Sequence, residues 1–369
     1  MKKILLAAGG RPGALLLAPL YDALKKNSNY KPVALLAAPE GSDPISQDLA
    51  ACFDIGDDIR TIPLPEGSPV QQFAAAVTSI ETILLSEKPD LVLVCGSDNV
   101  ALGAAVSAAK LGLKVGAVDA GLRSYERSDA DEVNRVVIDA MAELHFVSEH
   151  SGEYNLINEG VADEKVFYSG NLSIDSLVRL MEQANKVSIA AEHGIKPKKY
   201  ALVLLDPALR RAGKEQLAMI LRLLAELSAK IQVVIPRIAG FDEIFKQHNL
   251  EAAFSAVENL KLIEPPAHAA LLILLRDSML LLTDTEELQA EATVMNVPCL
   301  TMMETSSRPS TIEIGTNVLV GLDEEDIKSR IHDILHPGSH QHITSRSKIP
   351  EKWDGASAAR IVAVLDRLL

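Results

Sequence analysis

The chain has 369 residues, 48% hydrophobic and 23% charged, which is enough for two ordinary cores and too apolar for a long disordered tract. Its net charge of −14, with no basic stripe, argues against a nucleic-acid surface, although a local cluster of donors can still hold a phosphorylated ligand. Cys52, Cys95 and Cys299 are far apart and odd in number, so they give neither a disulfide framework nor a metal-ligand spacing, and they point to a reducing, cytoplasmic setting.

Met1-Lys2-Lys3 and the apolar run that follows imitate a signal peptide, but Arg11 and Pro12 interrupt the run, which reads better as a first strand entering a glycine turn. In chain order, buried strands are expected at residues 3–8, 32–37, 91–95, 115–118, 145–147 and 166–168. Helices are expected at 14–26, 70–86, 100–111, 132–142 and 152–159. A long polar helix over 174–193 leads into Lys196-Pro197-Lys198-Lys199. The alternation then restarts, with strands at 200–205, 232–235, 260–263, 279–283 and 299–302. Helices are expected at 216–229, 267–276, 288–295 and 356–369.

Strand–helix alternation implies α/β architecture: two Rossmann-like domains facing a cleft, each a parallel sheet flanked by helices. The expected boundaries are 1–172 for the N-terminal domain, 173–198 for the connecting helix and linker, 199–353 for the C-terminal nucleotide-binding-type domain, and 354–369 for a final helix. The longest apolar stretches, such as residues 271–275, are too short to span a bilayer, so no membrane partner is expected.

In open parallel sheets ligands bind beyond the carboxyl ends of the strands, so the loops that follow strands carry the functional reading. After the first strand comes Gly9-Gly10-Arg11-Pro12-Gly13. It reads either as a plain turn or as a close ligand approach with Arg11 near a helix N-terminus, where an anion is favoured. Gly96-Ser97-Asp98-Asn99 and Asp119-Ala120-Gly121-Leu122-Arg123 follow the strands at 91–95 and 115–118, and Asp129, Asp131 and Glu132 precede Asn134 and Arg135. This edge gathers carboxylates suited to proton transfer and arginines suited to phosphate. Ser128, Asp129 or Asp131 can equally cap the helix beginning near Glu132, so for Asp131 and Glu132 capping and function stand as alternatives.

The order of these motifs resembles that of the non-hydrolysing UDP-N-acetylglucosamine 2-epimerases. That family carries Gly-Thr-Arg-Pro-Glu, Gly-Asp-Thr, Glu-Ala-Gly-Leu-Arg, Pro-Glu-Glu-x-Asn-Arg and Thr-Gly-Asn. Here the corresponding segments are Gly9 to Gly13, Gly96-Ser97-Asp98, Asp119 to Arg123, Asp131-Glu132-Val133-Asn134-Arg135 and Ser169-Gly170-Asn171. The resemblance implies the two-Rossmann glycosyltransferase-B (GT-B) arrangement, a nucleotide-sugar ligand, no cofactor, no metal and a homodimer. It also implies epimerisation at C2 of the sugar by elimination and re-addition of UDP. By position it makes Asp98, Asp119, Asp131 and Glu132 the catalytic candidates, with Asp98 one residue beyond the family aspartate, whose place Ser97 takes. Arg11, Arg123, Arg135 and Asn171 become ligand contacts.

The second half departs further. The family's Gly-His-Arg-Arg-Glu is Asp206-Pro207-Ala208-Leu209-Arg210-Arg211, without a histidine. The family's Asp-Ser-Gly-Gly-x-Gln-Glu-Glu, whose backbone cradles the diphosphate, reads Asp284-Thr285-Glu286-Glu287-Leu288-Gln289-Ala290-Glu291. Asp284, Thr285, Gln289 and Glu291 become substrate-binding candidates, Glu291 at the place of the ribose-binding glutamate. Glu286 and Glu287 replace the glycines, and a like charge about 4 Å from phosphate costs roughly 4 kcal/mol. Acidic residues in a first helical turn equally suit the helix dipole. Thr305-Ser306-Ser307-Arg308-Pro309 matches another family segment and adds Arg308. After the second strand, Pro39-Glu40-Gly41-Ser42 lacks the Gln-, His- and Arg-rich loop used for regulation in bacterial members. His336, His340 and His342 crowd one loop and read as a surface turn.

Two readings remain open on the sequence. One is a divergent nucleotide-sugar 2-epimerase. The other is a catalytically inactive relative that keeps the fold as a binding or partner protein, or else an enzyme on a different sugar substrate.

Overall fold

Lys2–Gly9 forms β1, and its Ile4, Leu5, Leu6, Ala7 and Ala8 are each 0% exposed. An unbroken apolar run of this kind suits a strand covered on both faces. The computed structural model describes residues 1–39, 45–55, 59–65, 67–184, 189–238, 240–336 and 345–369. Glu40, Gly41, Ser42, His340 and His342, singled out above, lie outside the described residues. The chain divides into two compact units, Met1–Leu180 with Glu351–Leu369, and Met181–Pro350.

After β1 come α1 (Gly10–Lys26), β2 (Tyr30–Pro39), α2 (Gln47–Cys52), β3 (Ile59–Leu64), α3 (Pro69–Glu87), β4 (Leu91–Cys95) and α4 (Asn99–Lys110). Then follow β5 (Val115–Val118), α5 (Ala130–Met141), β6 (Leu144–Val147), α6 (His150–Asn158), β7 (Val166–Tyr168) and α7 (Leu172–Ala184). The strands make a parallel sheet in the order β3-β2-β1-β4-β5-β6-β7, so the order reverses between β1 and β4. The loops leaving those two strands are where this topology opens a crevice.

The first unit is completed by residues far along the chain. The helix α17 (Ser357–Leu368; α8 to α16 are given below) packs on α1 and buries Ile361 and Leu365 at 0% exposure. Its N-cap, Ala356, has no side-chain acceptor. Asp175 of α7 supplies one instead, accepting the N–H groups of Ser357 at 3.1 Å and Ala358 at 2.8 Å. Burial pushes the Asp175 carboxyl up, against the pull of those two donors. Trp353 anchors the approach to α17 by donating its indole N–H to the Ser148 carbonyl at 2.8 Å.

In the second unit the elements are α8 (Ile189–Glu192), β8 (Tyr200–Leu204), α9 (Pro207–Arg211), α10 (Lys214–Lys230), β9 (Gln232–Pro236), α11 (Phe241–Gln247), α12 (Glu251–Ser255), β10 (Leu260–Ile263) and α13 (His268–Asp277). They continue with β11 (Leu280–Thr283), α14 (Glu286–Val294), β12 (Cys299–Thr301), α15 (Pro309–Glu313), β13 (Asn317–Leu319) and α16 (Glu324–Leu335). The sheet is again parallel, in the order β10-β9-β8-β11-β12-β13, and reverses between β8 and β11. Within this unit Lys198 ties down the end of α13, its ammonium donating to the carbonyls of Arg276 at 2.7 Å and Ser278 at 2.9 Å.

The expectation of parallel sheets flanked by helices holds, and the central strands fall where the apolar runs placed them. The sequence reading passed over β3 and β13, which lie at sheet edges; β13 is also short. β3 carries Pro63, tolerated at an edge where a ladder donor is not needed. It also passed over α16, although Ile327, Ile331 and Ile334 are buried at helical spacing behind the acidic first turn that Asp323 caps.

Candidate functional site

In the first unit the two loops at the reversal point are joined by Asp98. Its Oδ2 accepts the N–H of Gly9 at 2.9 Å, and its Oδ1 accepts those of Val100 at 2.8 Å and Ala101 at 3.0 Å as the N-cap of α4. A Cβ on Gly9 would stand 2.6 Å from Asp98 Oδ1, so glycine is required for this close approach. Burial pushes the Asp98 carboxyl up while the three N–H donors pull it down. Arg11 lies exposed in the first turn of α1.

Asp119 follows β5 with a left-handed backbone, φ 66°, a conformation that non-glycine residues hold mainly where the surroundings enforce it. Asp119 and Asp98 both act on buried Cys95, whose thiol is pushed far up by burial and by these two carboxylates. The ends of β4 and β5 therefore place two carboxyl groups near the same buried thiol.

Arg123 and Glu132, a ligand-contact and a catalytic candidate of the sequence reading, are both held by partners within the first unit. The Arg123 side chain is 1% exposed. It pairs with Asp139 at 2.7 Å, forks onto Glu159 at 2.9 and 2.6 Å, and donates to the Leu122 carbonyl at 2.8 Å. This guanidinium is spent within the unit. Glu132 is buried, and its carboxylate accepts the N–H of Ser124 at 2.9 Å, the Ser124 hydroxyl at 3.1 Å, the N–H of Tyr125 at 2.9 Å and Arg135 Nη1 at 3.1 Å. Burial alone would raise its pKa, but these donors win and hold it below the usual carboxylate range. Asp131 is exposed in the first turn of α5, one residue before that anchor. Asn134 links α5 to the β4 loop by donating to the Ser97 carbonyl at 2.9 Å.

Ser169-Gly170-Asn171 follows β7. Gly170 has φ 91°, and a Cβ there would meet the Lys352 carbonyl at 2.2 Å. Asn171 is 0% exposed. Its Oδ1 accepts the Ser173 N–H at 2.9 Å and hydroxyl at 2.8 Å, while its buried Nδ2 has no partner.

The second unit repeats the device seen at Asp98. Asp284, after β11, accepts the N–H of Asp206, after β8, at 3.1 Å, so a carboxylate again ties the two loops at the reversal point. Arg210 pairs with Asp206 one helical turn away. Thr285 is held by Thr283 Oγ1, which accepts its N–H at 3.2 Å. Glu286 opens α14, and its carboxylate accepts the Ser307 hydroxyl at 2.7 Å and N–H at 3.2 Å. The Glu286 carboxylate is thereby engaged by the loop before Arg308.

Gln289, 0% exposed, accepts from Ser306 at 2.7 Å and Asn317 at 3.2 Å, which makes it a strut between α14, that loop and β13. Arg308, 6% exposed, begins α15. Glu291 is 0% exposed. Its Oε1 lies 2.8 Å from His268 Nε2, and its buried Oε2 has no hydrogen-bond partner. A buried carboxylate oxygen without a partner is costly, and such an atom points to a polar ligand or an ordered water. Sequence reasoning missed His268. Its only signal was a lone histidine opening an apolar helix, which a single sequence does not distinguish from a capped core residue.

Two parallel sheets, each flanked by helices and each with a reversal of strand order, give a fold of the GT-B type. The chain belongs to the UDP-N-acetylglucosamine 2-epimerase family, whose sequence profile matches residues 23–366. It is 33% identical over 282 residues to a UDP-N-acetylglucosamine 2-epimerase of Methanococcus maripaludis, covering 74% of this chain and 76% of that one. It is 29% identical to the Methanocaldococcus jannaschii enzyme over 98% of both chains. The crystal structure of the latter enzyme in complex with UDP-GlcNAc and UDP superimposes with a TM-score of 0.87 at 28% identity, over 100% of each chain. The Neisseria meningitidis enzyme bound to UDP-GlcNAc gives 0.86 at 25% identity, also over 100% of each. Among the described residues no helix is long and apolar enough to cross a membrane.

Proposed function

We propose that the chain interconverts UDP-GlcNAc and UDP-ManNAc. The observation that carries this reading is Glu291: a fully buried carboxylate, one oxygen held and the other open, at the position where the family binds the nucleotide ribose. Relatives matched over their full length, one of them solved with UDP-GlcNAc and UDP, support it. Of the arguments for the partner-binding alternative, the acidic replacement of the glycines is weakened, since Glu286 is turned onto Ser307.

Roles are assigned unit by unit. In the second unit, Glu291 accepts from the ribose hydroxyls, and Arg308 with the backbone around Thr285 serves the diphosphate. In the first unit, Asp119 and Asp131 handle the proton at C2, and Arg11, Arg135 and the Nδ2 of Asn171 contact the ligand. A base takes the C2 proton, the C1–O bond to phosphate breaks with its electrons leaving on UDP, and a C1–C2 double bond forms. UDP then adds back at C1 as a proton reaches C2 from the other face. A diphosphate leaves readily without a proton, so the missing histidine does not forbid the cleavage. Asp98, Glu132 and Arg123 are assigned to hold the loops rather than to touch the sugar. A homodimer and a cytoplasmic setting complete the proposal, the latter in keeping with three buried free cysteines.

The test is incubation with UDP-GlcNAc in D2O. Appearance of UDP-ManNAc with deuterium at C2, lost in Asp119→Asn, supports the reading. Absence of both products at high enzyme concentration overturns it. Light scattering in solution reports the dimer.

A further inference from the structure

We propose that His268 is a positioning residue for nucleotide recognition, holding one oxygen of Glu291 so that the other is presented to a ribose hydroxyl. This inference rests on the nucleotide reading of Glu291 given above.

The two side chains belong to adjacent helices of the second unit. His268 is the first residue of α13 and Glu291 lies in the middle of α14. Their side chains are 2% and 0% exposed, and His268 Nε2 stands 2.8 Å from Glu291 Oε1. An ionised carboxylate only accepts, so Nε2 carries the proton in this contact.

The choice of histidine has a geometric consequence. An arginine in its place would fork onto both oxygens and leave neither wholly open to a ligand. A ring nitrogen has a single N–H and satisfies one oxygen. That contact stops rotation about the last torsion of Glu291 and fixes where Oε2 points. Oε2 is buried and has no hydrogen-bond partner in the protein. A group that is both aimed and unsatisfied selects a ligand that donates an O–H over an isostere that lacks it, because the isostere leaves the buried acceptor unpaired.

His268 therefore acts through Glu291, and its effect belongs to the ribose hydroxyl, not to the base or the diphosphate. Calorimetry with UDP and 2′-deoxy- and 3′-deoxy-UDP on the full chain reads this directly. The wild type is expected to bind UDP more tightly than at least one deoxy analogue by about tenfold or more, the scale of a lost hydrogen bond to a charged group. In His268→Ala that ratio falls to within about twofold, with affinity for the deoxy analogue unchanged. His268→Gln, whose amide N–H reaches nearly as far, restores part of the ratio. If His268→Ala does not fold, His268→Asn takes its place; it is one methylene shorter than Gln and is expected to lose the ratio.

Variants that keep full discrimination overturn the inference. So does a wild type that binds UDP without discriminating; that result also removes the ribose role of Glu291, while UDP binding itself stands. A wild type that does not bind UDP sinks both.

Discussion

The carboxylate of Asp98 accepts the backbone N–H of Gly9 at 2.9 Å and so fastens the loop after β4 to the loop after β1, at the point where the strand order reverses. Asp284 does the same for Asp206 in the second unit. The loops that ligands approach in this architecture are thus fixed from within by acceptors.

Asp98→Ala removes an N-cap and leaves the Gly9 donor unpaired. A loss of about 1–3 kcal/mol in urea unfolding is expected. Asp98→Asn keeps one acceptor and is expected to lose less. Unchanged stability in both variants would show that the tie is incidental.

Glu132 is held below the usual carboxylate range, so its contribution has a defined pH sign. A depressed folded pKa gives stability that is present above the unfolded value of 4.5 and is lost as pH falls through the folded value. Glu132→Gln should therefore cost about 1–3 kcal/mol at neutral pH. The gap to wild type should close in acid, read from urea midpoints across pH. A gap independent of pH would refute the anchoring role.

Gly121 has φ 76°, and a Cβ there would meet the Gly152 carbonyl at 2.2 Å. Gly121→Ala is expected to cost at least about 2 kcal/mol or to prevent folding, since both the backbone and the space oppose a side chain. Thermal melting of the purified variant checks it.

Arg123→Ala leaves Asp139 buried without its cation, at about 3–5 kcal/mol. The double variant with Asp139→Asn should recover part of that loss in a mutant cycle. Arg123→Lys should not, because one ammonium cannot replace the contacts to Asp139, Glu159 and Leu122 together.

Much of the fold was legible because fully buried parallel strands are written as apolar runs, such as Leu91–Cys95. Edge strands such as β3 are half exposed and broken by proline, so their pattern fades. The site was legible as a set of residue types at strand ends. What each carboxylate does was not. Asp119 and Glu132 look alike in sequence, yet only the fold shows Glu132 saturated by the 124–125 backbone and Arg135. The docking of Glu286 onto Ser307 and the pairing of His268 with Glu291 join residues 21 and 23 positions apart, and local spacing does not encode such contacts.

The return of α17 to the first unit has a consequence for synthesis. The unit formed by β1 to β7 leaves the ribosome first, yet Trp353 and the face that covers α1 are made only after the whole of Met181–Pro350. At translation rates of about 5–20 residues per second, that is a wait of roughly 10–40 s with the docking surface of α1 uncovered. The second unit, continuous in sequence, needs no such wait. The order of completion is therefore the reverse of the order of translation, and a chain ending before Glu351 and released from the ribosome should carry a finished second unit beside a first unit still open to chaperones.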